Sequence, residues 1–293
     1  MLLFKKNFFY TFLFILPLIH CPIFSKQKFL INSNNKDPKV LILIIASDNY
    51  PGLDLTFPYA ELKKIWRSYM HSNPDNIEAY FIQGDPNLAS AYEIQEDIIW
   101  CKTEENVMPG ILNKTLLAIE CMIPRIGEFD YILRPNLSSF YVFPRFLQFL
   151  KTLPRNGCYC GYDQGGYATG CGYLMSSDVA EYLVINQDKL KHAIDVNKTY
   201  DDVALGEFFK ISNIALIPAP RRDLCNIRDW LKYKKIKSTS HFHFRVKNNE
   251  HKLRATVDVH ILNSLLQQFY GLPSKKYSLE KNKNEKGRNK VEE

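Results

Sequence analysis

The sequence predicts an α/β fold, an αβα sandwich around a mainly parallel, mixed central sheet. Two observations predict it. Apolar β-type runs alternate along the chain with segments of helical periodicity, which is the pattern of a sheet covered by helices on both faces. The first run, "KVLILIIAS" (39–47), is continuously apolar, as a strand buried on both faces must be. In addition, no internal repeat and no linker divides the body, so one domain is expected over 39–273.

The elements follow in order. Helical spacing in "YAELKKIWRSYMHS" (59–72) precedes a second strand, "IEAYFIQG", which stops at Gly84. "GILNKTLLAIECMI" (110–123) reads as a helix with Leu112, Leu116, Leu117 and Ile119 on its apolar side. Tyr131-Ile132-Leu133 is a short buried strand, closed by Arg134-Pro135 and followed by Asn136-Leu137-Ser138-Ser139. A helix runs from Pro144 through Leu153, because proline suits a first turn. "GCYCGYDQGGYATG" (157–170) reads as turns ahead of a short strand, Gly172 to Met175. Ser177 and Asp178 suit the N-cap of "VAEYLVIN". "YDDVALGEFFK" starts a helix, "NIALIPAP" and "HFHFRVK" read as strands, and "DVHILNSLLQQFY" closes the body as an amphipathic helix.

With 293 residues, 46% of them hydrophobic, the chain can bury a substantial core. Its net charge of +7 is largely peripheral. The stretch 274–293 carries seven Lys or Arg against four Glu, and Lys5 and Lys6 add two more positive charges. A nucleic-acid binder needs that charge on its folded part, so no nucleic-acid partner is expected. The basic stretch 228–254 reads as a solvated face or, alternatively, as an anion site.

The N-terminus carries Lys5-Lys6 and then an apolar run from Phe8 to Ile19. That run is short for a spanning helix and suits a signal peptide, although "HCPIFS" lacks the small residues of a cleavage site. The expectation is a signal peptide or type II signal-anchor over 1–25, a polar stem over 26–38, and a disordered charged tail over 274–293. The body would then be membrane-anchored or exported, where the six cysteines beyond Cys21 permit disulfides.

Three local patterns carry candidate chemistry. Asp201-Asp202 stand before an apolar helical run, where carboxylates complement the helix dipole or, alternatively, serve as a general base. Gly170-x-Gly172 allows a tight turn or close backbone approach. His241 and His243 fall on one face of a strand, as half-buried structure or as weak metal candidates. No Walker A sequence and no Gly-x-Ser-x-Gly elbow is present.

Taken in order over roughly residues 39 to 245, these motifs resemble the β1,3-galactosyltransferase, N-acetylglucosaminyltransferase and Fringe-like glycosyltransferases. "ENVMPGILNKTLLAIE" looks like that family's helix motif, "GCGYLMS" like its Gly-x-Gly-Tyr and following serine, and "DDVALG" like its Glu-Asp-Val-x-x-Gly. The resemblance implies a GT-A fold and a nucleotide-sugar donor, most often UDP-linked. It also implies inverting transfer of a hexose to a glycan acceptor. Asp202 would be the catalytic base, flanked by Asp201. Arg134, Asn136, Ser138, Gly170, Gly172 and Tyr173 would face the donor, Tyr173 as a stacking wall or as core. The family's metal-binding aspartates stand where this chain has Asn136-Leu137-Ser138, so a cofactor such as Mn2+ is not expected to be held in the usual way. Charge on the leaving diphosphate would fall to cations such as Arg134, Arg221, Arg222, Arg245 or Lys247. The alternative is a non-catalytic carbohydrate- or nucleotide-binding protein on a degenerate transferase scaffold.

Overall fold

The computed structural model describes residues 37–47, 57–234 and 240–272. The expected signal or anchor segment 1–25, nearly all of the stem, and the tail 274–293 lie outside the described residues. Among the described residues, no helix is long and apolar enough to cross a membrane.

The chain builds β1 (Val40–Ile45), α1 (Tyr59–Tyr69), β2 (Ile77–Gly84), the hairpin β3 (Tyr92–Gln95) and β4 (Ile98–Cys101), then α2 (Gly110–Met122). Next come β5 (Tyr131–Pro135), β6 (Ser139–Tyr141), α3 (Phe143–Leu150), β7 (Tyr159–Asp163) and β8 (Ala168–Ser176). Helices α4 (Ser177–Ile185), α5 (Gln187–Ala193) and α6 (Asp201–Ile211) follow. The chain then makes β9 (Leu216–Pro218), β10 (Arg222–Leu224), α7 (Ile227–Lys234), β11 (His243–Val246) and α8 (Arg254–Tyr270).

Eight strands form one mixed sheet in the order β3-β4-β2-β1-β5-β8-β7-β9. β1 runs parallel to β2 and β5, β2 to β4, and β7 to β9; β3 and β8 run against their neighbours. β1, β2, β4, β5, β7 and β9 therefore end on the same rim. A small second sheet, β10-β11-β6, pairs β11 with β6 so that Arg245 stands opposite Ser139.

Alternation along β1 explains the layers. Val40, Ile42 and Ile44 join one buried cluster with Leu62 and Trp66 of α1, Phe146 of α3 and Leu262 of α8. Leu41 and Leu43 join the other, with Leu112 and Leu116 of α2, Leu183 of α4 and Phe208 of α6. Both faces are covered, as a continuously apolar strand requires.

The structure extends several sequence expectations. β5 does not stop at Leu133 but continues through a buried Arg134 and Pro135. The segment expected to be turns holds β7 and the start of β8. Ser176, not Ser177 or Asp178, is the N-cap of α4. Ser177 Oγ instead donates to Phe129 O at 2.5 Å, and Asp178 accepts from Gly157 N at 2.9 Å. The six described cysteines are free thiols.

Candidate functional site

The common rim of the six strands is where open α/β sheets hold ligands. Its centre is an irregularity in β8. Between the pairs Gly161↔Tyr173 and Asp163↔Ala168, the four residues Thr169 to Gly172 oppose Tyr162 alone. A bulge of this kind frees backbone groups from the ladder and re-aims side chains. Here the freed groups hold the site. Gly170 N donates to Asp202 Oδ2 at 2.7 Å, and Gly170 O accepts from Arg134 Nη1 at 2.5 Å. Cys171 O accepts from Ser139 Oγ.

Arg134 rises from β5 into this arrangement. Its second guanidinium nitrogen pairs with Asp201 Oδ2, and its Cζ lies 4.9 Å from the centre of the Tyr173 ring. Arg134 and Asp201 are both buried. Burial raises the Asp201 carboxyl above its ordinary value, against the opposing pull of Arg134. A Cβ on Gly170 would sit 3.2 Å from both Arg134 Nη1 and Asp202 Oδ2, so glycine there lets the three groups converge.

Tyr200 is the N-cap of α6, without a side-chain cap bond, and the acidic pair fills the first turn, where Asp202 satisfies the free amide of Val203. Asp201 turns inward to Arg134. Asp202, in the first turn, is half-buried and accepts from Gly170 N and, at 3.0 Å, from Val203 N through Oδ1. A carboxylate offers about four lone-pair positions, so two acceptor positions remain for a hydroxyl proton.

The other expected residues are placed differently. Tyr173 is fully buried in the core, which leaves it no surface to stack on a sugar. Arg134 is likewise interior, with its charge committed to Asp201 rather than facing a phosphate. A Cβ on Gly172 would collide with the Tyr141 hydroxyl and lie 2.9 Å from His243 Cε1, so side chains fill that space, leaving none for a donor.

The turn after β5 is stitched to itself. Asn136 Oδ1 accepts from Ser138 Oγ at 2.8 Å and Ser138 N at 3.2 Å. Ser138 is buried, while Asn136 is half-buried. A neutral amide oxygen already accepting these bonds, with no carboxylate beside it, does not fit a divalent cation. Among the described residues, no group of three or more His, Cys, Asp or Glu side chains could hold a metal ion.

The two histidines are not a ligand pair. His241 precedes β11, and its ring Nδ1 is buried without a partner. His243 is buried, stacks on Tyr141 with ring centres 4.4 Å apart, and has Nε2 3.4 Å from Ser139 Oγ. Burial first, then Arg221 and Arg245, holds the His243 pKa well below its ordinary value. The unfolded chain binds a proton near pH 6.5 that the folded chain refuses, so stability is complete above that pH and falls as pH drops below it. The expected slope from this residue is up to about 1.4 kcal/mol per pH unit. His243→Phe, which keeps the stack on Tyr141, should remove that component from urea-unfolding curves taken between pH 7 and 5.

Two rim features escaped sequence reading, Ser47 and the surroundings of Arg221, which the sequence offered only as a cation for the diphosphate. Ser47, at the end of the β1 run, has a buried hydroxyl with no partner. Arg221 lies 3.9 Å from the centre of the Tyr162 ring and pairs with Asp223 at 2.6 and 2.9 Å. Its remaining nitrogen reaches Thr169 Oγ1 at 2.5 Å and Cys171 Sγ at 2.7 Å. The only sequence signal for this was the arginine pair Arg221-Arg222 after "PAP".

No protein-family model and no curated protein matches the sequence. Two solved glycosyltransferases are similar in fold. One is involved in glycosylating the major capsid of PBCV-1; it is 13% identical, with a TM-score of 0.48 over 76% of this chain and 98% of that one. The other is the apo form of GlyE from Streptococcus pneumoniae TIGR4, 12% identical, with a TM-score of 0.42 over 82% of this chain. The chain spans 66% of GlyE. Neither likeness is close enough to assign a function.

Proposed function

We propose that the protein is a glycosyltransferase that moves a hexose, of galactose or N-acetylglucosamine type, from a UDP-linked donor to a glycan hydroxyl with inversion. One observation carries this reading: the half-buried Asp202 carboxylate, latched by the Gly170 amide at the carboxyl-end rim of the sheet. In a single displacement, Asp202 removes the acceptor's proton as that oxygen attacks the anomeric carbon. The bond from that carbon to the phosphate oxygen breaks, and the nucleoside diphosphate leaves with the electron pair. Arg134 and Asp201 do not touch substrate in this scheme; they set the position of the bulge that holds Asp202.

The departing diphosphate needs positive charge, and the turn after β5 does not offer a metal site. Arg245 is the best-placed cation. It stands opposite Ser139 in the ladder, its side chain is 30% exposed, and its ion pair to Asp223 is long at 3.4 Å. The half-buried Asn136 is left as a donor contact from the sequence-derived set, together with the Gly170 backbone. Membrane attachment through residues 1–25 is part of the same proposal.

The test is nucleotide binding by the full chain. UDP, UDP-galactose and UDP-N-acetylglucosamine should raise the melting temperature, by about 2.7 kcal/mol of stabilisation at a hundredfold excess over Kd. The shift should survive a chelator, and GDP and CMP should be weaker. Absence of any shift with every nucleotide overturns the reading. Dependence on Mn2+ would place a cation site outside the Asn136 turn.

A further inference from the structure

Tyr162 is one of the few large aromatic side chains exposed at the rim, with 36% of its surface open. It stands opposite the β8 bulge, where it has no ladder partner. The Arg221 guanidinium covers one face of its ring at 3.9 Å, which leaves the opposite face as the one available to a ligand. Arg221 itself is fixed, with a side chain only 2% exposed and held by Asp223 and Thr169. A surface ring backed by a rigid buried cation loses little freedom when something settles on it.

The surroundings suit a sugar. The Asp223 carboxylate is 34% exposed, offering an acceptor for hydroxyl groups beside the apolar ring. The ring is also tied to the proposed base. Thr169 holds Arg221, and the next residue, Gly170, holds Asp202. Adjacent Cα atoms are about 3.8 Å apart. The cation behind the platform and the carboxylate are therefore held by neighbouring residues of β8.

We propose that Tyr162, backed by Arg221, is the stacking platform for a pyranose ring of the acceptor glycan. This deepens the transfer reading and rests on it. The C–H groups on one face of a pyranose carry partial positive charge and meet the negative face of the phenol, while ring hydroxyls turn to Asp223.

Saturation-transfer NMR on the full chain tests this with methyl β-galactopyranoside, methyl N-acetyl-β-glucosaminide and methyl α-mannopyranoside. At least one should bind, with saturation strongest on the C–H protons of one face. Tyr162→Ala and Tyr162→Leu should weaken that binding about tenfold, and Tyr162→Phe should keep it. The leucine variant still covers Arg221, so loss of binding in both, with unchanged melting, reports the π face and not misfolding. Unchanged binding in the alanine and leucine variants overturns the platform. So does failure of the wild type to bind any of these sugars; if UDP still raises its melting temperature, the transfer reading stands without it. Tyr162-dependent binding without any nucleotide response supports the platform as a lectin-like site and removes the transfer reading.

Discussion

Replacing Asp202 by asparagine is expected to lower glycosyl transfer by about 10²–10⁴-fold, the usual contribution of a positioned general base. The UDP-induced rise in melting temperature should remain. The substitution is nearly isosteric, and the asparagine carbonyl oxygen can still accept from Gly170 N, now 2.7 Å from Asp202 Oδ2. What is lost structurally is the bond at 3.0 Å from Val203 N, worth on the order of 1 kcal/mol. Chemistry and architecture therefore separate in this variant. If nucleotide binding falls together with turnover, the carboxylate is a latch for the β8 bulge and not a base. If turnover is unaffected, the proton is taken elsewhere.

The same residue shows how far the sequence could be read. The start of α6 at Asp201 was legible because the acidic pair and the following apolar spacing are local signals. So were β1 and β2, whose runs are long and apolar enough to be strands from composition alone. Short strands paired across long separations were not. β6 has three residues and pairs with β11 about a hundred positions later, and β10 has three residues beside the same strand. The hairpin β3–β4 turns at Glu96, with φ +52°, and without the glycine or asparagine that usually marks such a turn. β7 was hidden because its glycine, tyrosines and aspartate read as loop composition, although the first three residues of that strand are buried. The site followed the same rule. That Asp201 faces inward depends on Arg134, 67 residues away, and no local pattern reports that pairing. The bulge at Thr169–Gly172 is likewise a property of two ladders meeting, Pro135↔Gly172 on one side and Asp163↔Ala168 on the other.

Arg134→Met is expected to destabilise the protein by about 3–5 kcal/mol, the usual result of removing one partner of a buried ion pair. The loss has a specific origin. Asp201 is only 7% exposed, and Gly170 O would lose its 2.5 Å donor in the same step, so a charge and a carbonyl are stranded together. The charge does not stay in full. Without its cation, the Asp201 carboxyl rises further above its ordinary value, because burial already pushes it up and Arg134 was the opposing pull. The folded variant then takes up a proton that the unfolded chain binds only near pH 4, so acid favours the fold at this position. The difference between wild type and Arg134→Met should accordingly shrink as pH falls from 7 toward 5 in urea-unfolding measurements. Arg134→Met/Asp201→Leu should recover at least half of the loss, since replacing both ions with apolar groups leaves neither unpaired. A deficit in the double variant equal to that of Arg134→Met would shift the weight from the ion pair to the Arg134–Gly170 bond and the contact with Tyr173. In that event the bulge, and not the buried charge, is what Arg134 maintains.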